Sequence, residues 1–271
     1  MVPSPVPPDM PTVALLSDFD DYYAGVMRGV VCDHTDARVV DVAHDVPRQD
    51  VRAGAFVLSR AAPYFPEDTV HCVVVDPGVG TDRDVAVVES GDQILVGPDN
   101  GVLWPAAELL GDPVAYRVEP GEPESGTFHG RDVFAPLAGR IASGWRGYRD
   151  ERLAEPASLD FGGVTVDDGE DGGETVVRGE VVYVDGFGNV VTNVPGETVL
   201  DRTAFGATVT VGDTRLPFER TYAAVPAGEA LCTVASHENL EIAVNRDSAA
   251  ERFGWSAGDA IRVAVGDPRG E

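Results

Sequence analysis

The chain has 271 residues, 43% of them hydrophobic, enough for one large or two modest domains with a buried core. Acidic residues outnumber basic ones 46 to 20, every basic residue is arginine, and the net charge of −26 excludes the basic footprint that nucleic acid or an anionic membrane requires. Three cysteines without a close pair exclude a disulfide framework or zinc knuckle, and no run of about 18 apolar residues is present to cross a bilayer as a helix.

The acids are spread over every surface-type segment, a pattern of adaptation to high salt, because in molar salt a Debye length of about 3 Å screens self-repulsion. The opening MVPSPVPPDMP lacks the basic start and apolar centre of a signal peptide. The expectation is a soluble, cytoplasmic protein with a short disordered leader, from a halophilic source.

Apolar runs at residues 12–16, 39–42, 70–75, 85–88 and 94–96 read as strands, several too uniformly apolar to have a wet face. Helical spacing alternates with them at 22–33, 50–62, 103–110 and 132–143. Residues 12–170 are therefore expected to form an α/β domain with a central, mostly parallel sheet. Residues 151–174, rich in Gly, Asp and Glu and containing DDGEDGGE, read as a solvated linker. Beyond it, β-rich runs at 176–184, 207–211, 231–235, 240–244 and 260–265 have no helical stretch between them, which predicts a smaller all-β, barrel-like domain over 175–271.

The first strand ends in SDFDD, placing Asp18, Asp20 and Asp21 at the carboxyl edge of the sheet, where α/β proteins gather ligands. A carboxylate there can accept hydrogen bonds from a ribose diol, hold Mg²⁺, or simply be solvated. In VVVDPGVGTDR, Asp76 and Arg83 are near enough to meet across a glycine turn, as a structural pair or as part of a site; the full phosphate-loop pattern is absent. GPDNG has turn chemistry. In TFHGRDVFAP, His129 precedes a helix, either as a cap or as a group that orients water.

In the second domain, VDGFGNVVTN sets Asp185, Phe187, Asn189 and Asn193 in a turn between apolar strands. These are group types that recognise a purine and an ammonium, and they also suit a tight Asp-Gly hairpin. ASHENLEIAVNR offers Ser236, His237 and Asn245, which fit strand-edge positions as well as a site.

Taken in order, SDF, VVDVAHDVPRQDVRAGAF, APYFP, VVVDPGVGTDR, GPDNGVL, FHGRDVFAP, GFGNVVTN and LEIAVNR resemble one family over residues 13–265, the S-adenosylmethionine hydroxide adenosyltransferases, relatives of a fluorinase and a chlorinase. The resemblance implies hydrolysis of S-adenosylmethionine to adenosine and methionine, with no metal and no cofactor. It also implies a homotrimer whose sites draw on two subunits. Asp18 matches the carboxylate that holds the ribose diol and Asp21 a position at the methionine end. Phe187 and Asn189 match adenine contacts, Asp185 and Ser236 match groups holding the methionine amino and carboxylate ends, and Asn245 joins this substrate-binding set. Asp76, Arg83 and His129 match the set that prepares water. The loop after Asp18 is two residues shorter than the family's usual form, and His237 stands where a small or basic residue is usual.

Three rivals remain open at this point: halide transfer on the same scaffold, a non-catalytic S-adenosylmethionine-binding module, and a Mg²⁺-dependent phosphohydrolase built on SDFDD. Halogenating relatives carry an aromatic residue at the position of Asp76 and no histidine at that of His129.

Overall fold

β1 (Thr12–Ser17) is buried at all six positions, as a run of TVALLS with no polar face demands of a strand covered on both sides. In the computed structural model, which describes residues 10–20, 22–121, 124–169 and 174–266, it lies inside a six-stranded sheet. The others are β2 (Arg38–Ala43), β3 (Thr69–Val74), β4 (Val85–Ser90), β5 (Gln93–Pro98) and β6 (Val114–Val118), in the order β2-β1-β3-β5-β4-β6. β2–β1, β1–β3 and β3–β5 are parallel, whereas β5–β4 and β4–β6 are antiparallel. The sheet is thus mixed: the tight β4–β5 connection, residues 91 and 92, allows only a hairpin.

α1 (Tyr23–His34) and α4 (Ala135–Ala142) cover one face, where Met27, Val31, Leu137 and Ile141 pack on Val13, Leu15, Cys72 and Val74. α2 (Val51–Ala61) covers the other and packs on α3 (Trp104–Leu110). A Cβ added to Gly54 of α2 would lie 2.9 Å from Val75 Cγ2, so helix and sheet meet there at glycine distance.

The chain divides into two units between Asp160 and Phe161. The segment expected as a linker contains β7 (Thr165–Asp167), which pairs antiparallel with β8 (Thr175–Val184) and belongs to the second unit. β9 (Val190–Pro195), β10 (Thr208–Val211), β11 (Thr214–Pro217), β12 (Ala230–Val234), β13 (Asn239–Val244) and β14 (Ala260–Val265) complete an antiparallel sheet ordered β11-β10-β14-β8-β9-β13-β12. A bridge between Phe218 and Cys232, with Glu219 N–H donating to the Cys232 carbonyl at 2.9 Å, joins its two ends into a nearly closed barrel. Val177, Val181, Val209, Val211, Leu240, Ile242, Val244, Ile261 and Val263 fill it from alternate positions.

Two short helices, α5 (Gly196–Leu200) and α6 (Ala249–Phe253), interrupt a region expected to be all β. At five residues each they are too brief to register as periodicity. α6 is announced by chemistry instead: Ser248 Oγ caps the Glu251 N–H at 3.1 Å.

Candidate active site

From β1 the chain passes through α1 to β2 on one side, then through α2 to β3 on the other, so the loops after β1 and β3 diverge at their carboxyl ends. Such a point opens a crevice in an α/β sheet. Asp18 follows β1 and its N–H reaches the Val74 carbonyl at the end of β3 (3.4 Å). Asp76 comes two residues after that carbonyl, so both carboxylates rise from adjacent strand ends.

Asp18 Oδ2 accepts the Gln49 N–H at 2.7 Å, and Asp20 forms an ion pair with Arg48. Both partners lie between β2 and α2, so the two carboxylates turn to separate neighbours. Gln49 has φ 61°, at the third position of a turn closed by Asp50 N–H to the Pro47 carbonyl (3.0 Å). That backbone aims its N–H at Asp18. Asp21 lies outside the described residues.

The Asp76 side chain is only 5% exposed and pairs with Arg83, itself 16% exposed. Its second oxygen accepts the Gly78 N–H at 2.9 Å. Burial pushes the Asp76 carboxyl above its ordinary value, against the opposing pull of Arg83, the Gly78 amide and His129. Arg83 Nε and Nη1 are buried and have no hydrogen-bond acceptor among the described residues.

His129 is not a cap. The helix opens as a π-turn over Gly130–Phe134, and the imidazole makes no capping bond. It lines the same cavity as Asp18 and Asp76, of about 410 Å³. A Cβ on Gly130 would meet Phe19 Cε2 at 2.7 Å, so glycine lets the Phe19 ring lie against the helix start. Phe19 and Tyr23 both pack edge-on to Phe128, with centroids 5.6 and 5.1 Å away, and the three rings form one wall. Tyr23, Arg48, Gln49 and Phe128 are lining residues that sequence reasoning does not single out. The doubled tyrosine after SDFDD and the aromatic beside His129 are the available signals.

In the second unit the hairpin reading holds for Asp185: Oδ1 accepts the N–H groups of Phe187 (2.9 Å) and Asn189 (2.8 Å), and Oδ2 accepts Asn189 Nδ2 (2.9 Å). The turn leaves Phe187 84% exposed. Asn193 is structural, with Oδ1 accepting the Glu180 N–H and Nδ2 donating to the Phe161 and Gly162 carbonyls. Asn245 Nδ2 donates to the Val225 carbonyl at 2.7 Å, tying down residues 225–229. Ser236 sits exposed on the tip between β12 and β13, where the neighbouring His237 lies 3.5 Å from the buried Glu241. Glu241 also accepts the Tyr222 hydroxyl at 2.7 Å, and burial, then that bond, pushes the Tyr222 phenol up.

Residues 13–148 match the SAM hydroxide adenosyltransferase N-terminal domain and residues 179–262 the corresponding C-terminal domain. An "(R)-S-adenosyl-L-methionine hydrolase" of Thermus thermophilus is 39% identical over 94% of this chain and 100% of its own length. A protein of the same name from Salinispora tropica is 40% identical, covering 94% and 98%. A crystal structure of a conserved protein from Thermotoga maritima superposes with a TM-score of 0.83 at 35% identity, covering 93% of this chain and 99% of that one. At such identities over nearly its whole length, the chain belongs to the SAM hydroxide adenosyltransferase family.

Proposed function

We propose that this chain hydrolyses S-adenosylmethionine to adenosine and methionine by in-line attack of water on the ribose C5′. The observation that carries the reading is buried Asp76, held by Arg83 and lining with His129 the cavity at the β1–β3 crevice, in a chain whose relatives are named as hydrolases of that compound. In the reaction the water oxygen bonds to C5′, the C5′–S bond breaks, and its electron pair returns to sulfur, which leaves as the neutral thioether of methionine. No general acid is needed. Asp76 orients the water and takes its proton as attack proceeds, while Arg83 and His129 fix the carboxylate and the water.

Asp18 accepts the ribose hydroxyls, and the Phe19, Tyr23 and Phe128 wall suits a cation such as the sulfonium. Asp21, Asp185, Phe187, Asn189, Ser236 and Asn245 complete the substrate contacts. The family resemblance implies, as part of this reading, a homotrimer whose sites draw on two subunits. The relatives' names specify the R configuration at sulfur, which makes that epimer the expected substrate here.

Water is favoured over halide because a carboxylate at the attack position repels an anion. The dispersed acidic surface supports a halophilic source. Three free cysteines support a cytoplasmic one, and among the described residues no helix is long and apolar enough to cross a membrane.

The test is incubation with resolved R and S epimers in molar chloride, with chromatographic identification of products. Adenosine and methionine, formed faster from the R epimer, are expected. A 5′-chloro-5′-deoxyadenosine product would establish halide transfer instead, and binding without turnover would establish a sensing module.

A further inference from the structure

Beside the cavity, but not lining it, Ser17 Oγ lies 2.7 Å from His44 Nδ1, and His44 Nε2 lies 3.0 Å from Asp41 Oδ1. Arg28 grips the same carboxylate, Nε at 2.7 Å from Oδ1 and Nη2 at 2.5 Å from Oδ2. Serine, histidine and aspartate in a row suggest a hydrolytic triad, but Ser17 is 0% exposed and no substrate atom can reach its oxygen. The chain of bonds has another sense. Ionised Asp41 can only accept, so the neutral imidazole carries its proton on Nε2 and Nδ1 accepts the Ser17 hydroxyl proton, while Ser17 Oγ accepts the Phe19 N–H at 3.3 Å. Each group then has one role, and the imidazole is held as a single tautomer.

What this chain connects is the carboxyl end of β1 to the segment between β2 and α2. Ser17 bonds His44, Asp18 bonds the Gln49 N–H, and Asp20 pairs with Arg48. The Asp20–Arg48 pair is about two-thirds exposed or more at both ends, and such pairs hold little. The Ser17–His44 bond is the sheltered one, with its far end anchored through Asp41 to α1 by Arg28.

We infer that His44 is a positioning residue for substrate binding: by fixing residues 44–49 against Ser17, it holds the Gln49 N–H on Asp18 and so presets the carboxylate that receives the ribose. The inference rests on the proposed hydrolase reading for its kinetic consequence, but its structural consequence is independent of any substrate.

Two replacements separate the two ends of the imidazole. His44→Asn puts an acceptor near the Nδ1 position and keeps the Ser17 contact; His44→Gln reaches toward Asp41 and loses it. With folding checked by thermal melts, His44→Ala and His44→Gln should raise KM and the Kd for adenosine about 10-fold, with kcat changed less than about 3-fold, and His44→Asn should restore most of the affinity. Ser17→Ala should change affinity in the same direction as His44→Ala, and the double variant should lose less than the product of the two, because the bond they share is broken in either. Amide hydrogen exchange gives the substrate-free readout: Gln49 N–H protection should fall in His44→Ala and return in His44→Asn. An active wild type with unchanged KM in His44→Ala, or Gln49 protection equal in wild type and His44→Ala, overturns the inference. Loss of wild-type turnover with the exchange pattern intact overturns the hydrolase reading and leaves the positioning role standing.

Discussion

Asp76 and Arg83 form a nearly buried ion pair in which the carboxylate is further tied by the Gly78 amide at 2.9 Å, yet burial still leaves that carboxyl easier to protonate than an ordinary aspartate. A carboxylate placed only to cap the turn would gain nothing from lining a cavity beside His129. Asp76→Asn keeps the side chain's size and its capacity to bond water but removes the negative charge and the proton acceptor. Single-turnover adenosine release should fall by about 10²–10⁴ while substrate affinity survives. His129→Ala should fall in the same direction, with the double variant losing less than the product of the two. Unchanged release by Asp76→Asn would return the pair to a structural role.

The same carboxyl sets a pH dependence. Water activation needs ionised Asp76, so kcat/KM should fall as pH drops through its free-enzyme pKa, and burial moves that pKa upward. The acid limb should therefore lie above the ordinary aspartate range of about 3.9. It should vanish from the residual activity of Asp76→Asn. An acid limb at or below the ordinary value, in a profile measured from about pH 3 to about pH 8, would mean that some other group limits the rate.

Asp18→Ala should weaken binding of adenosine and of S-adenosylmethionine at least about 10-fold, because hydrogen bonds to a charged acceptor contribute about 1.5–3 kcal/mol each. If Asp18 serves only the Gln49 N–H, stability will drop and affinity, measured by calorimetry, will not.

β1 and β3 are readable in the sequence because strands buried on both faces become uninterrupted apolar runs, and Asp18 and Asp76 are readable because they close those runs. β6 and β11 are not, since VAYRV is only partly buried and TRLP is four residues long. The site is legible as residue types and blurred as roles: Asp185 and Asn189 spend hydrogen bonds on each other, and Asn193 and Asn245 on backbone carbonyls, which no spacing discloses. Ser17 and His44 stand 27 residues apart and meet only because β1 and β2 are parallel neighbours.

His71 predicts an acid sensitivity separate from catalysis. It is 0% exposed in β3, with Nε2 at 2.6 Å from Gln93 Oε1, and burial outweighs that bond and lowers its pKa. Above its ordinary pKa of about 6.5 both folded and unfolded forms are neutral and no stability is at stake. Below it the unfolded chain takes a proton that the folded one refuses, so stability falls as pH falls, by at most about 1.4 kcal/mol per pH unit. Denaturant unfolding in high salt between about pH 6.5 and about pH 5 should show that slope, reduced in His71→Gln. An equal slope in the variant would assign the loss to other groups.

Gln49 offers a case where stability and binding should separate. Its φ of 61° places an L side chain in the left-handed region, at a turn position usually given to glycine or asparagine. Holding a non-glycine residue there costs about 1–2 kcal/mol, whereas replacement by glycine loosens the unfolded chain by about 0.5–1 kcal/mol. The difference favours the substitution, so Gln49→Gly should stabilise the fold by about 0.5–1 kcal/mol. Glycine retains the N–H, and it is the N–H rather than the side chain that bonds Asp18, so adenosine affinity should stay within about 2-fold of wild type. Denaturant titration and calorimetry on the same preparation read the two effects. A gain in stability with unchanged affinity identifies the backbone of Gln49 as the working part of this wall. A large loss of affinity would show instead that the amide side chain, which also lines the cavity, contacts the ligand directly.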